Sequence, residues 1–110
     1  MVSPTVKNLV VNGNALECDL LLGENDLCFE GHFPGFKVLP GVTQLHFVML
    51  LAQEHLGVPA TFSKIARLKF KSLVRPGQMP HLKMEKTETA LNFSIVYEDK
   101  ICAQGSFVQQ

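Results

Sequence analysis

The sequence predicts an α+β domain in which one long apolar helix packs against a single antiparallel β-sheet. Three observations lead to this class. Only the segment Pro40–Leu56 has the pattern of a long helix, strand-like segments both precede and follow it, and the 110 residues match the size of one domain. We therefore expect one domain that covers residues 1–110.

The predicted helix, Pro40–Leu56, begins and ends at residues that favour helix termini. Pro40 has no backbone N–H, and that group would be unpaired at a first helical position. Gly57 and Pro59 then stop the helix. Apolar residues form one stripe and also cover much of the remaining circumference: Val42, Leu45, Met49, Ala52 and Leu56, with Phe47, Val48, Leu50 and Leu51. A helix apolar on nearly all sides is expected to be buried on nearly all sides.

Strand-like segments lie on both sides of this helix. Thr5–Val11 and Ala15–Leu22 flank the turn Asn12-Gly13-Asn14, which predicts a hairpin. The later strands are predicted to form an antiparallel meander with turns at residues 75–78 and 98–100, and its histidine, His81, is expected to be exposed. These later strands are Ile65–Leu73, Pro80–Glu85, Ala90–Tyr97 and Ile101–Val108. Because open sheet edges promote pairing, we expect a symmetric homodimer.

Composition and charge exclude several classes of protein. With 46% hydrophobic and 18% charged residues the chain is not disordered, and ten basic residues balanced by ten acidic ones argue against a nucleic-acid partner. The longest apolar run, Phe47–Ala52, is far shorter than the ~20 residues that span a bilayer, so no membrane partner is expected. Three cysteines without a CxxC pair favour a cytoplasmic protein. For Cys28 two interpretations stay open, a nucleophilic thiol and the more ordinary inert thiol.

The segment between the second strand and the helix carries the chemistry. His32 lies in an aromatic turn shortly before the helix, and Gly41 lies at its start. Because Gly41 has no side chain, a ligand oxygen can approach the unpaired N–H groups there, where the helix dipole favours negative charge. A neutral imidazole can accept a proton near pH 7. A base beside an oxyanion site suits proton abstraction next to a thioester carbonyl.

Two motifs give this chain a family resemblance. The pattern G-H-F-P-G-x-x-V-L-P-G-V at Gly31–Val42 resembles the active-site motif of the hot-dog-fold 3-hydroxyacyl-[acyl carrier protein] dehydratases, and LKFKSLVRPGQ at Leu68–Gln78 resembles a later strand and turn of that family. LPGVTQLHFVM is similar to the short, aryl-polyene-type members. The resemblance implies a hot-dog fold, with the sheet wrapped around the central helix. It also implies a double hot-dog dimer with an acyl tunnel at the interface.

The resemblance further implies an activity and its residues. The expected reaction is dehydration of a 3-hydroxyacyl-acyl carrier protein thioester to the trans-2-enoyl thioester, in fatty-acid or aryl-polyene-type biosynthesis. His32 would remove the α-proton, and the N–H of Gly41 would hold the thioester carbonyl. Much of the family places a carboxylate from the other subunit where this chain has His46. We hypothesise that His46 donates the proton or orients a water, whereas the alternative is a core histidine bonded to backbone.

Other residues complete the expected site. Gln44 is a secondary candidate for positioning the substrate hydroxyl, and Phe33 is expected to line the tunnel with Phe36 and Phe47. No cofactor is implied, because the elimination needs only a base, an acid and an oxyanion site. No metal is expected either, since Glu30, His32 and His46 lack a recognisable ligand spacing.

A basic segment follows the helix. Five basic residues occur within twelve positions, without an acid among them: Lys64, Arg67, Lys69, Lys71 and Arg75. Two interpretations stay open, a solvated strand face or a docking surface for an acidic acyl carrier protein.

Two other functions also remain open from the sequence. A hot-dog acyl thioesterase would need a helix carboxylate to activate water, and this helix offers only Glu54, near its far end. A non-catalytic acyl-carrier or lipid-binding module would need neither a base nor an acid.

Overall fold

A computed structural model describes residues 4–22, 38–59, 62 and 64–109. It contains one helix and six strands in these ranges, and the strands form one antiparallel sheet in the order β1-β2-β4-β5-β6-β3. The predicted α+β class is therefore confirmed. The elements are β1 Thr5–Asn12, β2 Ala15–Leu21, α1 Gly41–Leu56, β3 Lys64–Phe70, β4 His81–Lys86, β5 Ala90–Tyr97 and β6 Lys100–Val108.

Tight turns join two of the hairpins, β1–β2 and β5–β6, at the places that the sequence predicts. Asn12 pairs with Ala15, and Gly13 between them has φ 63°, a conformation that glycine adopts without strain. Tyr97 pairs with Lys100 in the β5–β6 hairpin, whose two turn residues also have positive φ angles. Short-range turn chemistry therefore fixes both hairpins.

The position of β3 corrects the predicted meander. β4, β5 and β6 do follow one another in the sheet, but β3 pairs with β6 at the far edge and not with β4. The connection after β3 crosses the end of the sheet: Lys71 N–H donates to Cys102 O at 2.8 Å, and Gly77 N–H donates to Leu22 O at 2.6 Å. These bonds carry the chain from the β6 side to the β2 side before β4 begins.

The core lies between α1 and the inner face of the sheet. Val48 and Ala52 are fully buried there, against alternating residues of the strands such as Leu20, Leu82 and Ile95. The prediction that α1 is buried on nearly all sides is wrong for the single chain. Val42 is 69% exposed, and other residues of α1 are only half-buried, among them Leu45, His46, Met49 and Leu50. One sheet covers one side of a helix, so the other side stays accessible.

Specific residues define where α1 begins and ends. Gly57 ends the helix in the left-handed conformation, with φ 65°, and Lys86 Nζ donates to Leu56 O at 2.8 Å. Pro40 is the N-cap residue and Gly41 is the first helical residue, so α1 begins one position later than predicted. In the described ranges no helix has the length and apolar character of a membrane span.

A polar cluster links β1, β2 and β4 on the outer face of the sheet. His81 Nδ1 lies 2.8 Å from Asp19 Oδ1, and His81 Nε2 lies 3.0 Å from Glu17 Oε1. Asn8 Nδ2 donates to the other Asp19 oxygen at 2.8 Å. The expectation that His81 is exposed is wrong, because these contacts leave it half-buried. A neutral imidazole has one N–H and cannot donate to both carboxylates, so the geometry suits the imidazolium.

This cluster predicts a pH dependence of stability. The hydrogen bond to Asp19 raises the pKa of His81 above its ordinary value, and the hydrogen bonds from Asn8 and His81 lower the pKa of Asp19. The His81 contribution is complete below about pH 6.5 and is lost as pH rises through the raised pKa. The Asp19 contribution is lost as pH falls through the lowered pKa.

We therefore expect the free energy of unfolding to decline above about pH 6.5, the unperturbed histidine pKa. Urea titrations between pH 5 and pH 9 measure this decline. His81→Gln is expected to flatten it, whereas Lys83→Gln, on the same strand and face, keeps it. A decline of equal slope in His81→Gln would contradict the assignment to this cluster.

Candidate active site

The start of α1 is a group of backbone donors that no side chain of the described residues caps. Pro40 has φ −61° and ψ 148° and supplies no side-chain cap, and the first turn contains no acidic residue. The first bond of the helix runs from Gln44 N–H to Pro40 O at 3.0 Å. The N–H groups of the first turn therefore have no acceptor within the helix. Together with the helix dipole they favour a developing negative charge.

Gly41 at this position lies against an aromatic ring of the edge strand. A Cβ atom added to Gly41 would lie 2.7 Å from Cζ of Phe70 and 3.0 Å from its Cε2. The absence of a side chain thus allows β3 to approach the helix start. The Phe70 ring is 47% exposed, so one side of it remains available to a ligand or to another chain.

The residue pair Leu39 and Gln44 fixes the turn before the helix. Leu39 N–H donates to Val74 O at 2.6 Å, and Gln44 Nε2 donates to Leu39 O at 3.1 Å. Gln44 is only 3% exposed, and its Oε1 has no hydrogen-bond partner among the described residues. A buried acceptor without a partner costs about 1–3 kcal/mol, which marks Gln44 as unusual in the buried face of α1.

His46 lies in the second turn of α1, on the side away from the sheet. It is two residues from both Gln44 and Val48, or ~200° around the helix axis, and both of those residues are buried. His46 itself is half-buried and has no hydrogen bond or ion pair within the described residues. His46 therefore lies outside the face of α1 that packs against the sheet.

Several residues of the predicted site lie outside the described residues. These are His32, Phe33, Phe36 and Cys28. Phe47, which was expected to line the tunnel, is 1% exposed and belongs to the core between α1 and the sheet. The structure therefore brings together Gly41, Gln44 and the helix start, and places His46 on the opposite side of α1.

Comparison with known proteins identifies the family. Residues 8–106 match the family model described as ApeI-like, the ApeI dehydratase. This chain belongs to the ApeI-like dehydratase family. In sequence it is similar to the 3-hydroxyacyl-[acyl-carrier-protein] dehydratase FabZ of Pediococcus pentosaceus, with 32% identity over 98 residues. That match covers 76% of this chain and 66% of the relative, so the chain spans less than the full length of this curated protein.

Solved structures give the fold. The ApeI-like chain is similar to a chain of the dehydratase heterocomplex ApeI:P from Xenorhabdus doucetiae, with a TM-score of 0.89, 30% identity and coverage of 97% of both chains. Mouse thioesterase superfamily member 2 has a TM-score of 0.67 at 15% identity, with 97% of this chain and 80% of that chain covered, and this likeness concerns the fold alone. The hot-dog fold implied by the motifs is confirmed.

The basic segment of this ApeI-like protein divides between a strand face and a connection. Lys64 and Lys69 pair with Val108 and Gln104 of β6 and lie on the outer face of β3, and Arg67 Nη2 donates to Ser106 Oγ at 3.3 Å. Lys71 and Arg75 follow in the connection, and all five basic residues are exposed. Arg75 and Lys100 line an adjoining groove of about 450 Å³. The acids Glu17, Asp19 and Glu85 lie on the opposite half of the sheet.

Sequence reasoning missed two features of this site in the ApeI-like chain. The contact of Phe70 with Gly41 and the bond from Gln44 to Leu39 both depend on tertiary placement. The only local signal was a single polar residue in the stripe that α1 buries. As for metals, the described residues contain no group of three or more His, Cys, Asp or Glu side chains arranged to bind one.

Proposed function

We propose that this protein dehydrates a 3-hydroxyacyl-acyl carrier protein thioester to the trans-2-enoyl thioester, in fatty-acid or aryl-polyene-type biosynthesis. The observation that carries the proposal is the start of α1 at Gly41, which no side chain of the described residues caps, within a chain of the ApeI-like dehydratase family. The curated FabZ relative bears the name of this activity. No cofactor is part of the proposal, because the elimination is a proton transfer coupled to loss of water.

The proposed reaction balances with three groups of the protein. His32 accepts the α-proton, and the electron pair of the broken C–H bond forms an enolate. The enolate oxygen accepts a hydrogen bond from the Gly41 N–H. The enolate then expels the hydroxyl from C3, and His46, as an imidazolium, supplies the proton that makes this leaving group water. Gln44 Oε1 is proposed to accept the substrate hydroxyl before elimination, and Phe33 to line the acyl tunnel. Proton exchange with water resets both histidines.

We also propose a double hot-dog homodimer in which His46 completes the site of the other subunit. The accessible side of α1, including Val42, and the exposed ring of Phe70 form an apolar surface that a second chain would cover. β3 pairs on one edge with β6, and its other edge suits antiparallel pairing with a second copy. The similar Xenorhabdus doucetiae chain comes from a heterocomplex. The homodimer is therefore tested by analytical ultracentrifugation of this chain purified alone, where a monomeric mass would contradict it.

One assay tests the proposed function against its rivals. A 3-hydroxyacyl thioester is incubated with the protein, and enone absorbance and free thiol are followed together. A dehydratase produces enone without thiol, a thioesterase releases thiol, and a non-catalytic binding module produces neither. Glu54, the carboxylate that hydrolysis would need, is exposed near the far end of α1, which argues against the thioesterase.

Replacing His46 is expected to lower dehydration without unfolding the protein. His46→Ala should reduce kcat by about a hundredfold, the lower end of the range for a general acid. Gln53→Ala is the matched control, because Gln53 is also half-buried and lies two turns further along the same side of α1. Full activity of His46→Ala would contradict the proton-donor role.

The proposed partner is an acidic acyl carrier protein that docks on the basic residues of β3 and its connection. Lys69→Glu with Lys71→Glu is expected to raise KM for carrier-linked substrate at least about tenfold, because two attractive charges become repulsive. KM for the same acyl group on a short pantetheine thioester should not change. Lys83→Glu, on the acidic half of the outer face, is the control. A salt-independent KM for the carrier-linked substrate would contradict docking by charge.

We further propose a cytoplasmic location. Cys18 and Cys102 are free and buried, and burial raises the pKa of both thiols, that of Cys18 to about 11. Such thiols are unreactive and need no oxidising compartment.

A further inference from the structure

We propose that Gln44 is a positioning residue, which sets the direction of the Gly41 N–H by holding the carbonyl groups of Leu39 and Pro40. This inference rests on the proposed function, in which that N–H binds the thioester oxygen. It assigns to the Gln44 donor Nε2 a task separate from any contact that Oε1 makes with substrate.

The geometry places Gln44 on both carbonyls that precede Gly41. Its side-chain Nε2 donates to Leu39 O at 3.1 Å, and its backbone N–H donates to Pro40 O at 3.0 Å. The carbonyl of Pro40 and the N–H of Gly41 belong to one planar peptide group, so fixing the first orients the second. Any residue at position 44 would supply the backbone bond, but only a side-chain donor of this reach supplies the other.

Leu39 makes the side-chain bond effective. Its N–H donates to Val74 O at 2.6 Å, and its carbonyl accepts from Gln44 Nε2, so hydrogen bonds hold the backbone on both sides of Leu39. The link from Leu39 to Gly41 is Pro40, whose ring restricts φ, here −61°. With φ fixed, only ψ of Pro40, here 148°, can absorb a rotation of the Leu39 carbonyl, and the bond from Gln44 N–H to Pro40 O opposes that change.

The choice of glutamine supports a functional reason. The other residues that α1 buries are all apolar: Phe47, Val48, Leu51, Ala52 and Leu56. Gln44 alone brings a polar group into this face, and its Oε1 lacks a partner among the described residues. Departures from local stability rules concentrate where function requires them.

The test compares Gln44→Met with Val48→Ala. Methionine keeps the length of the side chain and removes the donor, whereas Val48→Ala opens the same buried face without touching the turn. In Gln44→Met we expect kcat to fall about tenfold or more, because the Gly41 N–H would be displaced from the position in which it stabilises the transition state. KM should change less than about twofold, and Val48→Ala should have the wild-type kcat. A Gln44→Met protein with the wild-type kcat would overturn the proposal.

Amide hydrogen exchange without substrate separates this inference from the proposed function. By NMR, the Leu39 N–H should exchange faster in Gln44→Met and keep its wild-type protection in Val48→Ala. If the wild-type protein dehydrates no thioester, the proposed function fails, yet the exchange rates still decide whether Gln44 holds the turn. Unchanged Leu39 exchange would overturn the inference. Gln44→Glu, which retains an acceptor but cannot donate as a carboxylate, gives the same test if Gln44→Met does not fold.

Discussion

Replacing His32 with asparagine is expected to lower kcat for dehydration by about 10²–10⁴-fold, the range for loss of a general acid or base. Asparagine can still donate a hydrogen bond, but it cannot accept the α-proton of a thioester. KM should stay close to the wild-type value, because the imidazole acts on the transition state more than on the bound substrate. The measurement is enone absorbance under saturating 3-hydroxyacyl thioester, with urea unfolding as the check on stability.

Mixing two impaired variants tests whether one site contains residues of two subunits. In the proposed dimer, a mixed pair of His32→Asn and His46→Ala chains contains one site with both lesions and one with neither. Random re-pairing after denaturation should then restore about a quarter of the wild-type activity, as expected for a two-fold symmetric pair. Sites confined to single chains would give no recovery, and that result would contradict the shared site while leaving the role of His32 intact.

The sequence predicted the local features of the fold better than its pairings. Gly13 and Gly57 occupy positive-φ positions that end a strand and a helix, so chemistry within a few residues sets those boundaries. The partner of β3 depends instead on residues such as Phe107, which pairs with Ile65 more than forty positions earlier. Period-two alternation marks a strand, but every neighbouring strand in the sheet satisfies it equally. The predicted meander failed for that reason.

The site divides in the same way. Gly41 and His46 could be singled out because a motif fixes their spacing from His32. The bond between Gln44 and Leu39 could not, since glutamine within an apolar stripe does not reveal which carbonyl it reaches. The His81 cluster was also missed, because its two carboxylates lie on a strand more than sixty positions earlier. Sequence motifs thus name reacting groups, and tertiary contacts decide how those groups are held.

Gly41→Ala keeps the backbone N–H, so it is expected to lower kcat by at most about 10²–10³-fold, the loss on complete removal of an oxyanion donor in other enzymes. The new Cβ would lie 2.7 Å from Cζ of Phe70, a separation that atoms do not tolerate. Either the ring or the first turn of α1 must move, and the methyl group also narrows the approach to the N–H groups. Steady-state kinetics on a short pantetheine thioester measures the effect without any contribution from carrier docking.

The double variant Gly41→Ala/Phe70→Leu separates the two reasons for this loss. Leucine lacks the Cε and Cζ atoms that the added Cβ would meet, so it relieves the clash and leaves an apolar side chain on β3. Recovery of kcat relative to Phe70→Leu alone would show that displacement of the helix start caused the loss. Persistent loss would show that the methyl group itself blocks the thioester oxygen. A single Gly41→Ala variant with wild-type kcat would contradict both, and the oxyanion would then have to bind elsewhere than at the start of α1.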